Sequence, residues 1–489
     1  MTVKIEKGLK MNLAKALFVT PLTAISVALA LSASAANHFV SKDGAWKMKD
    51  ESGQEMEGKC WTNLQEAIEG AARSGDTIYV KNGFVVDAEP AVATGYNACR
   101  LLNSKTLDVI AEGRDWKTGP KVMGRHADTE AGYGEGALRC VYQNTYASAA
   151  GVWRFVGFNF IDGATTGTGT ANQDSGVGGC LRGNSAKKLI LEKCRIVGGV
   201  AGGYGGGVKG ATLTDCVVTN CAARNLGGGA YASDLYDSLV VSNRTIQTSS
   251  NSQGGGGIYE GSATRTCFYG NVVEGSAGGG AAASATLVSC VVSNNASGRY
   301  GGGAWKCTTE NCIFVDNVQG PNGSVGAGGG GVCGGTHYNA LILRNTADNQ
   351  GGAAYEGVFY NCTAYANTNT HYKDANNVGG FQGCTLVNCI SYGNVGGGDS
   401  ASATNSCVQV KTLSDKYVDC INTDPKLDAD LRPHAQACRK AGLVFNWMTD
   451  EADVRARDLA GNPRIAPGKE KPDMGCYETP FKGLMMIVR

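Results

Sequence analysis

Residues 301–317 read GGGAWKCTTENCIFVDN. Three glycines open the stretch, Cys307 and Cys312 lie five apart, and Asn317 follows five residues after the second cysteine. In isolation this fits a phosphate loop, a metal or redox site, or one unit of a scaffold. Its relatives along the chain decide between them. With Cys312 as reference, the same slot recurs at Cys194, Cys216, Ser238, Cys267, Cys290, Ala340, Cys362 and Cys389, with Cys407 a candidate further member. Steps of 22 or 23 residues dominate, with a few of 27 to 29. Five places after the slot stands Asn243, Asn295, Asn317, Asn345, Asn367 or Asn394, and a glycine run precedes each unit.

A unit of about 22 residues is too short for two packed helices. Its segments, such as CVVTN (216–220), CVVSN (290–294) and ALILRN (340–345), are rich in β-branched and apolar residues, which favours strands. The slot and the residue two places on (Val218, Val240, Val292, Phe314, Ile342) point the same way along a strand. The Leu three places before (Leu191, Leu213, Leu235, Leu287, Leu386) has the wrong parity unless the chain turns in between. Asp215, Asp237, Asn311, Asn339, Asn361 and Asn388 precede the slot, and Asx residues tolerate the left-handed conformation a corner needs. The Asn at the fifth place predicts a second corner and the glycine run a third. The prediction is an all-β chain, a right-handed parallel β-helix whose rungs stack about 4.8 Å apart. It runs from 76 to 423 in roughly 13 to 15 rungs, about 60–70 Å long.

The segments GGAY (228–231), GGIY (256–259) and GGAW (302–305), with FYGN (268–271) and FVDN (314–317), resemble repeats of the polymorphic outer-membrane protein family. The chain as a whole resembles secreted bacterial β-helix repeat proteins of the pectate-lyase-like superfamily. That resemblance rests also on TNLQEAIEGAARSGDTIYV (62–80), similar to their entry helix and first strand, and on a tail containing DLAGNPRI (458–465) and DMGCYE (473–478). It implies a surface adhesin or a polysaccharide-active enzyme. The stretch after 423 is too short for the membrane barrel of the autotransporters. Thr62 and Gln65 fit a capping box for the helix, with Leu64, Ala67, Ile68 and Ala71 on its apolar face. The expected division is therefore 1–35 signal peptide, 36–75 entry and capping helix, 76–423 β-helix and 424–489 tail.

Residues 1–35 carry Lys4, Lys7, Lys10 and Lys15, then the apolar run 16–31, then small residues at 33–35. This reads as a secretory signal, with an uncleaved anchor as the alternative. No transmembrane segment is expected in the mature chain. The 489 residues carry a net charge of +1, and 18% are charged. Nothing basic enough for a nucleic-acid partner is present. The 72 glycines lack the three-residue period of collagen. The match of Gly205, Gly207 and Gly210 to GxGxxG lacks the strand–helix context of a nucleotide site and reads as a bend.

Of the 19 cysteines seven (Cys194, Cys216, Cys267, Cys290, Cys312, Cys362 and Cys389) share the repeat column, so stacked buried thiols are expected there rather than disulfides. Off the column, Cys438 and Cys476 are expected to form a disulfide in the tail. No close CxxC pair occurs and the five His are scattered, so no metal site and no cofactor are expected. Tyr231, Tyr259, Trp305 and Tyr355 follow glycine runs at matching offsets. If Ala230, Ile258 and Ala304 face inward, these rings face out, where they would either stack on sugars or pack rung on rung. Three long loops (244–253, 318–327, 368–378) leave one corner and suggest a binding face, with Tyr372, Lys373 and Asp374 its most varied residues. The acids are dispersed, and no catalytic constellation stands out. The sequence reading is an exported or cell-surface rod that binds a polysaccharide or another surface. A polysaccharide lyase or glycoside hydrolase is second, and a structural envelope component third. Oligomeric state is left open.

Overall fold

The computed structural model describes residues 35–71, 74–86, 97–101, 105–143, 151–168, 174–246, 253–320, 326, 328–371 and 378–479. Their strands form three sheets of 22, 12 and 8 strands, all paired in parallel. Successive rungs stack in register, as Val218 on Val240 and Phe314 on Ile342 show. This is a parallel β-helix, of the right-handed sense that parallel crossovers adopt. It starts earlier than residue 76, because Asn37–Val40 already pairs with Thr77–Val80. Helix α1, Leu64–Gly70, buries Leu64, Ala67 and Ile68 against the first rungs. Its N-cap is Asn63, whose side chain accepts the Glu66 N–H, not the expected Thr62.

The three glycines of the opening stretch have separate reasons. Gly301 adopts φ +53°. A Cβ on Gly302 would lie 2.4 Å from the Gly330 carbonyl of the next rung, and one on Gly303 would lie 3.0 Å from the Phe314 ring. The residues before the slot take left-handed backbone as expected, including Asp215, Asp237, Asn311 and Asn339. The second corner differs. Its left-handed residue is the fourth after the slot (Ser242, Asn294, Asp316), and the Asn that follows is turned into the core. A further left-handed position, at Ala232, Glu260, Lys306 and Glu356, was not foreseen; it lets the chain bend just after each GGA-aromatic segment.

Except at Ala340, the slot is filled by a group that both donates and accepts. The Cys216 N–H donates to Ser238 Oγ (3.1 Å), the Cys290 N–H to Cys312 Sγ (3.4 Å) and the Cys362 N–H to Cys389 Sγ (3.4 Å). Each such side chain in turn donates to the carbonyl two residues back, as Cys312 does to Glu310 (3.3 Å). Cys, Ser and Thr can all do this in a narrow space. The slot residue of the 267 rung is therefore Thr266, whose Oγ1 accepts the Ser238 N–H (3.4 Å). Cys267 lies one place on, opposite Leu239. The same one-residue offset puts Ser406, not Cys407, at the slot of the last repeat, where it accepts the Cys389 N–H (2.9 Å). Burial pushes the Cys312 and Cys362 thiols well up, so the column is unreactive.

The asparagines form a continuous ladder. Asn243, Asn271, Asn295, Asn317, Asn345, Asn367 and Asn394 are joined end to end, each Oδ1 accepting both the N–H and the Nδ2–H of the Asn one rung before. The remaining amide hydrogen goes to a strand carbonyl, as from Asn317 to Val292 (2.9 Å).

The tail is a strap along the rod. Asn311 Nδ2 donates to the Val454 carbonyl, Asn339 Nδ2 to those of Arg455 and Arg457, and Asn388 exchanges two hydrogen bonds with Leu443. Arg464, fully buried, donates to Asn339 Oδ1 (2.7 Å), to the Gly475 carbonyl (2.9 Å) and to Glu478 (2.8 Å). Lys469 neutralises Asp473 and Glu478 beside it. The expected Cys438–Cys476 disulfide is absent, and both thiols are free. Cys476 packs with Leu341, Leu343 and Tyr477, whereas Cys438 packs in a separate cluster with Ile390 and Cys407.

Two outcomes test this architecture. Asn317→Leu removes the acceptor of the Asn295 N–H and the donor to Val292, so urea unfolding should show a loss on the order of 4 kcal/mol. His337 is buried in the rod, accepting from Thr309 Oγ1 (2.9 Å) or donating to it and bonded to the Gly334 carbonyl (3.0 Å). Burial lowers its pKa to about 4. A folded-state value below the unfolded one means that the unfolded chain takes up the proton first. This contribution is therefore full above pH 6.5 and is lost as pH falls towards 4, by about 3 kcal/mol. Buried Asp399, whose carboxyl burial raises to about 6, contributes the opposite trend as pH falls from 6 towards 3.8. The His337 contribution is therefore read as a difference: the stability of wild type relative to His337→Leu should fall by about 3 kcal/mol between pH 7 and pH 4 in equilibrium unfolding.

Candidate functional site

The long sheet presents two outward columns. The first runs Asp108, Arg154, Ile190, Thr212, Asp234, Ser262, Thr286, Thr308 and Thr336, each in register with the next. Strand alternation places them opposite the inward column of Val109, Phe155, Leu191, Leu213 and Leu235. Thr286 and Thr308 are exposed, and the others are half-buried. The result is a line of hydroxyls, at Thr212 and from Ser262 to Thr336, interrupted by Asp234 and beginning beside a charged patch.

In that patch Arg154 grips Glu192 with two parallel bonds (Nε–Oε1 and Nη2–Oε2, both 2.7 Å) and reaches Asp108 at 3.2 Å. Those carboxylates push the guanidinium further up, so it stays charged. Nearby, Lys187 Nζ lies 2.6 Å from Asp234 Oδ1, which also accepts from Ser262 Oγ (2.7 Å). Each acid here is held by a cation. The arrangement offers fixed donors and acceptors to a polyhydroxylated ligand, because Arg154, Lys187 and the threonines are pre-positioned by the backbone register. The sequence carried a signal for it: Asp108 and Arg154 are the charges inside the otherwise apolar strands LDVIA (107–111) and WRFV (153–156).

The second column runs Glu192, Thr214, Tyr236, Thr264, Val288, Glu310 and Tyr338. Its far end meets the strap. Arg455 lies over the rings of Tyr338 (4.8 Å) and Trp447 (5.5 Å), 2.6 Å from Asp453 and 3.9 Å from Glu310. Burial raises the Glu310 carboxyl above its usual range, while the hydrogen bond from Arg455 lowers that of Asp453. Two carboxyls with opposite shifts stand here beside aromatic rings.

The expected aromatic site is placed differently. Tyr231 and Tyr259 do lie outside the main core, but they are only 8% and 5% exposed, and Trp305 only 7%. Tyr204 stacks on Tyr231 (5.1 Å), Tyr231 on Tyr259 (5.9 Å) and Tyr300 on Trp305 (5.7 Å), with Leu226, Ala283 and Cys333 filling the gaps. The alternation placed the rings outward correctly. It could not show that Tyr204 and Tyr300, from the loops before the glycine bends, fold over them. Of the four, Tyr355 alone is more than marginally accessible. Tyr372, Lys373 and Asp374 lie outside the described residues, as do most of the loop residues 247–252 and 321–325. Among the described residues no group of His, Cys, Asp and Glu is arranged to hold a metal ion, and no helix is long and apolar enough to cross a membrane.

No family model matches the chain, and no curated protein sequence matches it. Among solved structures, the chain is similar to pectate lyase Pel9A at 14% identity, with 91% of this chain and 97% of that one covered and a TM-score of 0.37. It is similar to the A-module of the mannuronan C-5 epimerase AlgE4 of Azotobacter vinelandii at 12% identity, covering 79% and 100%, with a TM-score of 0.36. A rhamnogalacturonan lyase is matched at 13% identity over 91% and 96%, with a TM-score of 0.30. The fold itself rests on the strand register described above.

The aromatic stack makes its own prediction. Tyr259→Ala opens a hole in a closed column and should lower stability by about 3 kcal/mol, whereas Tyr355→Ala at the accessible end should cost under about 1 kcal/mol. Thermal or urea midpoints of the two variants check this.

Proposed function

We propose that the chain is an exported or cell-surface rod that binds glycans along the outward face of its long sheet. The observation that carries this reading is the register-locked line of hydroxyls from Thr212 to Thr336, joined to the patch of Asp108, Arg154, Glu192, Lys187 and Asp234. A linear polymer laid along the rod would meet a hydroxyl at each rung from Ser262 to Thr336. The patch holds three carboxylates against two cations, a net charge of −1, which suits neutral saccharides better than strongly acidic ones. Export rests on the lysines and apolar run within 1–35. Attachment to a surface, and the kinship with outer-membrane repeat proteins suggested by GGAY and GGAW, belong to the same proposal.

The second reading is a polysaccharide lyase or glycoside hydrolase, favoured by Glu310 and Asp453 around Arg455. A carboxyl whose pKa is raised beside one whose pKa is lowered is the raw material of acid–base chemistry. One experiment separates the readings. The purified protein is run through gels containing acidic or neutral polysaccharides, with and without calcium, and the same mixtures are assayed for new reducing ends and unsaturated products. Retardation by at least one polysaccharide without products, reduced five-fold or more in affinity by Arg154→Ala with Thr286→Val and Thr308→Val, is the expected result. Product formation lost in Glu310→Gln would replace the binding rod by the enzyme.

A further inference from the structure

Cys407 and Cys438 stand apart from the other buried thiols. Core thiols such as Cys312 and Cys389 point into the rod, accept an N–H from the neighbouring rung and donate to a carbonyl. Cys407 sits one place past the slot, in bridge pairing with Ile390 and Ile421, and its Sγ meets the Thr423 carbonyl at 3.3 Å. Cys438 closes the 3-10 turn Gln436–Cys438 of the strap, and its carbonyl accepts the Met474 N–H (2.9 Å). Both cysteines are fully buried, in one cluster with Ile390 and Met474. Their side chains pack in that cluster at the boundary between rod and strap, near enough for each thiol to shift the titration of the other.

We propose that Cys407 and Cys438 close as a disulfide that fastens the strap to the last rungs. The strap is otherwise held by hydrogen bonds to corner asparagines, by Arg455 against Glu310 and Tyr338 and by packing on outward apolar residues, and this pair brings a thiol of the rod and a thiol of the strap into one buried cluster. The oxidant is a disulfide, of an oxidoreductase or of a small thiol, met before the strap has seated. The Cys438 thiolate attacks one sulfur of that disulfide and expels the other as thiolate. Cys407 then gives up its proton and attacks the Cys438 sulfur, expelling the second thiolate. Two protein thiols are oxidised and one disulfide is reduced to two thiols. Cys438 lies on the strap and is open to solvent until the strap seats, which makes it the first nucleophile.

The test is peptide mapping of the full chain refolded in mixtures of reduced and oxidised glutathione. The samples are acid-quenched, alkylated in denaturant, digested with trypsin without reduction and read by mass spectrometry. The expected product is peptide 374–411 joined to peptide 427–439, with Cys384 and Cys389 alkylated. It should vanish in Cys407→Ser and in Cys438→Ser and persist in Cys476→Ser. Recovery of Cys438 as a free alkylated thiol at every glutathione ratio in folded protein would overturn the proposal, and so would its linkage to Cys476. The wild-type map decides this even where a variant folds poorly, and it is independent of any saccharide binding.

Discussion

Everything in this molecule hangs on one repeated exchange, in which a side chain at a corner replaces the hydrogen bond that a turning backbone cannot make. A rung of about 22 residues must turn several times, and at each turn the regular ladder of N–H and C=O is interrupted in a dry interior. The asparagines from Asn243 to Asn394 repair it on one corner, each serving the rung before. The slot residues repair it on another with a hydroxyl or a thiol. Because each repair reaches one rung along, the repeat cannot slip by a residue without orphaning groups on both neighbours. Register along the whole rod follows, and with it the straight columns of the outer face.

Corner chemistry also explains a change of residue type along the chain. The residue before the slot is Lys193, Asp215, Asp237, Arg265 and Ser289 in the earlier rungs and Asn311, Asn339, Asn361, Asn388 and Asn405 in the later ones. All take the left-handed backbone. The later ones carry an added duty, since Asn311, Asn339, Asn388 and Asn405 bond the backbone of the strap. An amide offers both a donor and an acceptor to a passing peptide, whereas Asp237 instead pairs with Arg265 in solvent. The strap in turn covers outward apolar residues such as Ile313, Leu341 and Ile390. Its buried charges, Arg464, Lys469, Asp473 and Glu478, are tolerable because each is both paired and hydrogen-bonded.

The candidate site inherits its order from the same register. Arg154 and Glu192 meet because residues 154 and 190 stack in adjacent rungs, and the threonine line is straight because the rungs are. A face built this way is rigid, so its groups are held in place without the cost of ordering loops. It differs in kind from the aromatic column, which lies on the same sheet but is closed over by Tyr204 and Tyr300 and serves as a second, smaller core.

Local periodicity was enough to specify the parallel β-helix, the inward parity of the slot and Val columns, the left-handed corners and the unreactive state of most thiols. These depend on neighbours within one unit and on repetition, both of which are written in the chain. The slot was misread by one residue at Cys267 and Cys407, because identity of residue type was followed where hydrogen-bonding capacity decides, and Thr266 and Ser406 have that capacity. Tertiary structure alone decided the rest. Whether an outward ring is open or covered depends on what a distant loop lays over it, as Tyr300 does over Trp305. Which cysteine faces Cys438, and where the tail lies, depend on a strap folding back over rungs as far as 143 residues away in sequence, from Asn311 to Val454. The pairing of Arg154 with Asp108 and Glu192, 46 and 38 residues apart, exists only once the rungs stack, since no local pattern records which side chains a solenoid brings side by side.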